Sequence, residues 1–137
     1  MTFHIICDRA IQNELVRHRH ASFTVESTRY VKYDELTFVE PCDWDADNFG
    51  FLENVLREIE YFYKIFTVRD LKLRPEDARA VLPLCLKSEL YMTANLRELR
   101  HILKLRTDKA AHPQMRFIAG QILAILRDKL PVIVEDI

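Results

Sequence analysis

The residues best suited to chemistry lie between positions 17 and 30, in the run Arg-His-Arg-His-Ala-Ser-Phe-Thr-Val-Glu-Ser-Thr-Arg-Tyr. This run concentrates arginine and histidine in a chain whose formal net charge is only −1. Its arginines flank four hydroxyl residues, which are Ser22, Thr24, Ser27 and Thr28. A guanidinium group can bind two oxygens at once and a hydroxyl donates a hydrogen bond, so the combination suits a phosphate monoester. The run therefore predicts a local site for a small anion.

An exposed charged turn is the alternative interpretation of this run, and composition alone favours it because such runs are usually solvated. Two features favour a binding site instead. The run interrupts segments with clear hydrophobic patterning, and it holds hardly any lysine, the cation that a merely soluble surface uses.

The composition indicates an ordered protein of one domain. The chain has 137 residues, of which 49% are hydrophobic and 30% charged, and only two are glycine. Twenty Lys and Arg balance 21 Asp and Glu, so no global field favours nucleic acid or an anionic membrane. Cys7, Cys42 and Cys85 form no Cys-x-x-Cys pair, which predicts free thiols in a reducing cytoplasm and no metal site. Neither an export leader nor a membrane-spanning run is expected.

Hydrophobic spacing predicts strands and helices in the first half of the chain. The predicted elements are a strand over 2–8, a helix over 9–18, an extended loop over 19–33, a strand over 35–40 and a helix over 46–66. Asp8 is placed to cap the first helix. The inward residues are Ala10, Ile11, Leu15 and Val16 in the first helix, and Leu52, Val55, Leu56, Ile59, Phe62 and Phe66 in the second.

The second half of the chain favours helices. The predicted elements are a short helix from Arg74 to Arg79 that Pro83 stops, a strand over 86–93, a helix over 95–106 and a helix from Pro113 to about Asp128. The last helix turns Met115, Ile118, Ile122 and Ile125 inward, and Pro131 opens a short tail. These elements predict a single helix-rich α+β domain with a small sheet.

Several ordered motifs resemble those of the flavin-dependent thymidylate synthases. Arg17-His18-Arg19, followed by Ser27 and then Arg29-Tyr30, resembles the family signature of Arg-His-Arg before Ser-x-Arg-Tyr. The likeness continues through segments 79–83, 93–99, 105–106 and 110–114. One short pattern often matches by chance, whereas ordered matches across nearly the whole chain do not. The resemblance implies that residues 1–137 form a domain of this family, without the N-terminal region that its members usually carry before the strand at Thr2.

The resemblance also implies an activity, its cofactors and an assembly. Enzymes of this family are homotetramers that bind flavin adenine dinucleotide (FAD) and deoxyuridine monophosphate (dUMP) at subunit interfaces. The flavin, reduced by NADPH, supplies a hydride, methylenetetrahydrofolate supplies the carbon, and the product is thymidylate (dTMP). No cysteine of the enzyme attacks the pyrimidine, in agreement with the scattered cysteines of this chain. The expected partners are a pyrimidine nucleotide and a folate, with no nucleic acid, membrane or metal.

Position by position, the resemblance assigns residues to the site. The catalytic residues would be Ser27, close to the reacting base, and Arg106, near the pyrimidine ring. The other substrate-binding residues would be Glu14, Arg17, Ser22, Thr24, Val25, Glu26, Arg29 and Arg79. The residues that would contact FAD are Arg17, His18, Arg19, Asn95, Arg97 and His101.

Arg106 also stands out on physical grounds. It follows a helix whose apolar stripe favours Leu or Ile at that position, so its guanidinium should enter a pocket and meet an anion or a polarised carbonyl. The alternative is an arginine that covers the carbonyls of the last helical turn. His18 and Asn95 also have alternatives, as a hydrogen-bonded structural histidine and a helix cap. No Gly-x-Ser-x-Gly elbow surrounds Ser27, which argues against a hydrolase nucleophile.

One departure from the family pattern bears on function. Val25 stands where the family usually has Glu or Gln, and Glu26 does not replace it because neighbours on an extended segment point to opposite faces. Two functions therefore stay open: synthesis of dTMP, and modification or binding of a related deoxypyrimidine nucleotide with altered or lost flavin chemistry. A nucleic-acid-binding module built on Arg17, Arg19 and Lys32 is disfavoured by the neutral charge balance.

Overall fold

The computed structural model describes residues 1–69 and 71–137 as a helix-rich α+β fold. Its strands are β1 (Thr2–Asp8), β2 (Ala21–Val25) and β3 (Lys87–Ala94). Its α-helices are α1 (Arg9–Leu15), α2 (Ala46–Lys64), α3 (Pro75–Ala78), α4 (Leu96–Arg106) and α5 (Pro113–Lys129). A π-helical segment, Ile65–Arg69, follows α2, and short 3₁₀ turns at Arg79–Val81 and Pro131–Ile133 follow α3 and α5. The predicted α+β architecture with a small sheet is confirmed.

The strands form one sheet in the order β1–β3–β2, with β3 in the centre. Side chains of a strand point alternately to its two faces, so one face of each strand can supply a core. Alternation of this kind is present in both longer strands. The alternate residues that are buried are Phe3, Ile5 and Cys7 in β1, and Ser88, Leu90, Met92 and Ala94 in β3, and Asp8 at the end of β1 is buried as well. The alternating pattern that predicted β3 is therefore confirmed.

Contacts between residues divide the chain into two compact units. Unit 1 comprises Met1–Ile5, Ile11–Thr24 and Leu90–Ile137. Its core includes large side chains from α4 and α5 that are less than 2% exposed, namely Leu99, Leu103, Met115 and Leu126. Asn95 caps α4, since its side chain accepts a hydrogen bond of 2.9 Å from the backbone N–H of Glu98. The helix-cap interpretation of Asn95 is confirmed.

Unit 2 comprises Ile6–Ala10 and Val25–Glu89. The long helix α2 begins after Asp45, whose side chain accepts a hydrogen bond of 2.8 Å from the backbone N–H of Asn48. Its small core brings together Leu36, Tyr63, Ala78 and Leu86. Pro75 occupies the first turn of α3, where its missing N–H costs nothing.

Two strand predictions were wrong. Residues 21–25 form β2 where a loop was expected, with Ala21, Phe23 and Val25 more covered than the two hydroxyl residues between them. Apolar and polar residues do alternate over 21–25, but the polar ones are Ser and Thr, which are also common in loops. The expected strand over 35–40 is reduced to one antiparallel bridge between Phe38 and Leu86.

The helices also end earlier and turn slightly differently from the prediction. The first helix stops at Leu15 and not at position 18, so Val16 is exposed. The α-helical part of the second ends at Lys64 and continues as a π-helical segment. Val55, Phe62 and Ile125, which were expected to face inward, are about half exposed. The apolar face of α2 and that of α5 are therefore each only partly buried, and their outer residues remain exposed. Within residues 1–69 and 71–137, no helix has both the length and the apolar character needed to cross a membrane.

Candidate functional site

The end of α4 in unit 1 directs the guanidinium of Arg106 towards the residues around α1. Its Nη1 donates a hydrogen bond of 2.7 Å to Oε2 of Glu14, and its Nε donates one of 3.0 Å to Nε2 of His18. A longer contact of 3.4 Å joins Nη2 to the backbone carbonyl of Glu14. The expectation that Arg106 meets an anion or a carbonyl is confirmed, because it contacts the carboxylate and the backbone carbonyl of Glu14.

His18 is buried, with only 7% of its surface exposed. Burial, followed by the nearby charge of Arg106, lowers the pKa of the imidazole below its usual 6.5. Because Nε2 accepts a hydrogen bond from Arg106, the ring proton of the neutral form lies on Nδ1. That atom is 3.7 Å from Oε1 of Glu98, and the ring of His101 lies edge-on at 6.3 Å. We call Glu14, His18, Glu98, His101 and Arg106 the Arg106 cluster.

A cavity of about 310 Å³ opens beside Glu98 of this cluster. Its other lining residues are His20, Asn95 and Arg97, so it carries a guanidinium, an imidazole and an amide. A cavity of this size is at the lower end for a small-molecule site, and these donors suit an electron-rich ring or a phosphate oxygen. The residues therefore fit one part of a flavin dinucleotide rather than the whole molecule.

The remaining predicted residues of unit 1 lie on the surface. Arg17 and Arg19 are exposed in the turn after α1, and Ser22 and Thr24 occupy the exposed face of β2. Arg97 and His101 are exposed on α4, in its first and second turns. Unit 1 thus brings together Glu14, His18, His101 and Arg106, while the other predicted site residues of this unit are accessible from solvent.

In unit 2 the predicted catalytic Ser27 forms a turn. Its hydroxyl accepts a hydrogen bond of 3.3 Å from the backbone N–H of Arg29. Its carbonyl accepts two more, from the backbone N–H groups of Tyr30 at 3.2 Å and Val31 at 3.1 Å. The side chain of Arg29 lies over the ring of Tyr30, with 5.3 Å between Cζ and the ring centroid. The turn therefore fixes the backbone from which Arg29 projects.

Arg29 and Arg79 meet at a residue that sequence reasoning missed, Glu76. Oε2 of Glu76 accepts a hydrogen bond of 2.9 Å from Nε of Arg29, and its backbone carbonyl accepts one of 3.1 Å from Nε of Arg79. Arg74 adds an ion pair of 2.7 Å between its Nη1 and Oε1 of Glu76. The hydrogen bond from Arg29, followed by the charge of Arg74, lowers the pKa of the Glu76 carboxyl. We call Arg29, Arg74, Glu76 and Arg79 the Glu76 cluster.

Val25, at the family's polar position, and its neighbour Glu26 differ in their surroundings. Val25 is partly buried at the end of β2. Glu26 lines a cavity of about 160 Å³ together with Tyr33 and Lys87. Burial, followed by the charge of Glu26, raises the pKa of Tyr33 to about 12. The Glu26 carboxylate therefore has polar neighbours within unit 2.

Glu76 and Glu98 carried weak signals in the sequence. An acidic residue in the first turn of a helix is favoured by the helix dipole, so both positions suit a purely structural role. Only the folded chain shows which arginine or histidine each one meets. Among residues 1–69 and 71–137, no group of three or more His, Cys, Asp or Glu side chains is arranged to hold a metal ion.

Comparison with known proteins identifies the family. The family model described as thymidylate synthase complementing protein matches residues 1–132. The chain is 37% identical over 152 residues to a protein of Mycobacterium phage D29 named probable flavin-dependent thymidylate synthase, covering 99% of this chain and 63% of that protein. It is 32% identical over 143 residues to the flavin-dependent thymidylate synthase of Corynebacterium diphtheriae, covering 93% of this chain and 57% of the relative.

An archaeal relative gives the same result. The flavin-dependent thymidylate synthase of Pyrococcus furiosus is 37% identical over 123 residues, covering 85% of this chain and 50% of that protein. The chain thus spans about half to two thirds of the length of these relatives, between 50% and 63%. The extent of these matches shows that the chain belongs to the thymidylate synthase complementing protein family, that of the flavin-dependent thymidylate synthases.

Proposed function

We propose that this chain takes part in the reductive methylation of dUMP to dTMP, with FAD as cofactor and NADPH and methylenetetrahydrofolate as co-substrates. The observation that carries the proposal is the geometry of Arg106, which is held by Glu14 and neutral His18 in a chain of this family. We further propose that the protein acts in the cytoplasm as a homotetramer that binds its nucleotide and flavin at subunit interfaces.

Arg106 is the proposed contact of the pyrimidine ring. A guanidinium has more N–H donors than its contacts with Glu14 and His18 use, so donors remain for a ring carbonyl. Negative charge that develops on that carbonyl during attack at the ring would be stabilised by the guanidinium. Because Glu14 and His18 fix its direction, little reorganisation is needed when the base binds.

The nucleotide phosphate is assigned to Arg29 and Arg79, with Ser27 nearer to the base. Arginine suits this role because its planar fork matches two phosphate oxygens. Glu14, Arg17, Ser22, Thr24, Val25 and Glu26 are the remaining residues proposed around the substrate. When bound, the flavin supplies the hydride, and the residues proposed to hold it are Arg17, His18, Arg19, Asn95, Arg97 and His101.

The partly buried, apolar Val25 favours a second candidate function. A family position that is usually polar offers no hydrogen bond here. A protein that keeps the nucleotide site but modifies another deoxypyrimidine nucleotide, or binds one with altered or lost flavin chemistry, would be consistent with that side chain.

A flavin spectrum followed by titration with dUMP tests the proposal. The purified protein should be yellow with near-stoichiometric flavin, and dUMP should perturb the flavin absorbance. With methylenetetrahydrofolate and NADPH added, dTMP should form. Flavin and dUMP binding without dTMP would favour the second candidate, while a colourless protein that FAD cannot reconstitute would contradict the main one.

A further inference from the structure

The Glu76 cluster holds both arginines that are assigned to the nucleotide phosphate. Arg29 contacts one carboxylate oxygen of Glu76 at 2.9 Å, and Arg74 contacts the other at 2.7 Å. Arg79 contacts the backbone carbonyl of the same residue at 3.1 Å. One residue therefore presents to three guanidinium groups the oxygen atoms that a phosphate would offer.

We propose that Glu76 is the resident counter-anion of the phosphate site: its carboxylate holds the Arg29 guanidinium in the nucleotide-free protein and yields it to the phosphate of a bound mononucleotide. The inference rests on the proposed function, because that function places the phosphate at Arg29 and Arg79. It adds a residue to which the sequence motifs gave no role.

Carboxylate and phosphate compete for the same groups on a guanidinium. Each presents two oxygens in the plane of the fork, but a phosphate monoester carries nearly two negative charges at neutral pH and a third oxygen. Glu76 is ionised under the same conditions, since hydrogen bonding to Arg29 and the charge of Arg74 lower its pKa. Its charge would repel an incoming phosphate unless its contact with Arg29 is released.

Because the Arg29–Glu76 ion pair is exposed, breaking it should cost little free energy. The side chain of Arg29 is 55% exposed and that of Glu76 is 26% exposed. An ion pair this accessible to solvent is screened and contributes little to stability. Arg74 remains available to Glu76 after the exchange, so the released carboxylate keeps a cationic partner.

Arg79 does not depend on the Glu76 side chain. It uses Nε to contact the backbone carbonyl, which stays in place when the carboxylate moves. The terminal nitrogens of the same guanidinium carry further N–H donors. Glu76 therefore has two roles: its backbone positions Arg79, and its carboxylate occupies Arg29 until phosphate arrives.

Glu76→Gln tests the exchange, with Asp77→Asn as the matched control. Both substitutions remove one negative charge while keeping the size of the side chain, and both residues contact Arg74. Calorimetry with dUMP should give a dissociation constant for E76Q that is about three- to ten-fold below that of the parent, as expected for loss of an exposed competing anion. D77N should stay within about two-fold of the parent. Deoxyuridine, which lacks the phosphate, should bind all three proteins equally.

The outcomes separate this inference from the proposed function. If the parent binds dUMP and E76Q binds it equally or more weakly, the counter-anion role is refuted while the proposed function stands. A gain of the same size in D77N, or with deoxyuridine, would also refute it, because the effect would not depend on exchange between Glu76 and phosphate. Failure of all three proteins to bind dUMP would overturn the proposed function and this inference together.

Discussion

Units 1 and 2 hold their site arginines in opposite ways. In unit 1 the side chain of Arg106 is only 21% exposed, and its hydrogen bonds reach the side chains of Glu14 and His18. In unit 2 the side chain of Arg29 is 55% exposed and meets Glu76 at the surface. The guanidinium of Arg106 therefore has a fixed direction, whereas that of Arg29 is free to exchange Glu76 for another anion.

Desolvation explains the difference. A guanidinium that is largely removed from water must satisfy its N–H groups with protein acceptors, which then dictate its orientation. A guanidinium that stays hydrated gains little from any one ion pair. In the proposed function, the fixed group meets a pyrimidine ring, whose carbonyl needs a directed donor, and the exchangeable group meets a phosphate, whose charge is less directional.

The largest expected effect is the loss of nucleotide affinity in Arg106→Ala. A desolvated charged contact to the ligand would be removed, so dUMP binding should weaken by about 2 to 5 kcal/mol. Isothermal titration calorimetry measures this change. Arg100→Ala is the matched control, because Arg100 lies on the same helix and pairs with Asp136 at 2.8 Å. Unaltered affinity in Arg106→Ala would remove Arg106 from the nucleotide site.

The contrast between the units predicts a smaller difference in stability. Arg106→Ala leaves Glu14 and His18 without a partly buried donor, so the free energy of unfolding should fall by about 1 to 3 kcal/mol. Arg29→Ala removes an exposed ion pair and an exposed contact with the Tyr30 ring, so its free energy of unfolding should stay close to that of the parent. Urea denaturation of the three proteins provides the comparison. Equal losses in both variants would show that the two arginines are not held differently.

The two clusters also differ in how far the sequence could reveal them. The Arg-His-Arg run and the end of the predicted helix identified His18 and Arg106 of the first cluster, and periodicity predicted β1, β3 and the helices that carry them. Glu98 of the same cluster was not identified. The pairing of His18 with Arg106 was not predictable, because these residues are 88 positions apart and only tertiary packing brings them together.

The contacts of the Glu76 cluster were even less predictable from the sequence. Pro75 and the acidic residues after it indicated the start of a helix, which is what the structure contains. The same acidic residues gave no sign that Arg29, 47 positions earlier, binds Glu76. Strands were the least predictable elements, since both β2 and the bridge at Phe38 depend on which backbone groups neighbouring segments offer.

His18 gives the fixed arginine a dependence on pH. Its pKa is lowered by burial and then by Arg106, while Glu98 acts in the opposite direction and His101 in the same one. Between this lowered pKa and the ordinary value of 6.5, the unfolded chain binds a proton that the folded chain does not. The contribution of neutral His18 to stability is therefore complete above pH 6.5 and is lost as the pH falls through its folded pKa.

Urea denaturation between about pH 8 and pH 5 measures this dependence. His18→Gln is the informative variant, because its amide oxygen can accept from Arg106 and its side chain does not titrate. The parent should lose stability towards acid more steeply than the variant. Identical slopes would mean that protonation of His18 is not coupled to folding.

The smallest expected effect is a gain in dTMP formation in Val25→Gln, a substitution at the end of β2. An amide at position 25 would restore a hydrogen-bonding group where the family usually has one, so dTMP formation should rise by about two- to five-fold, as one exposed or partly exposed hydrogen bond allows. Steady-state turnover with dUMP measures the gain. Val25→Leu is the control, because it keeps the apolar character and should give no increase. If neither turnover nor dUMP affinity changes in Val25→Gln, the side chain at position 25 does not reach the nucleotide.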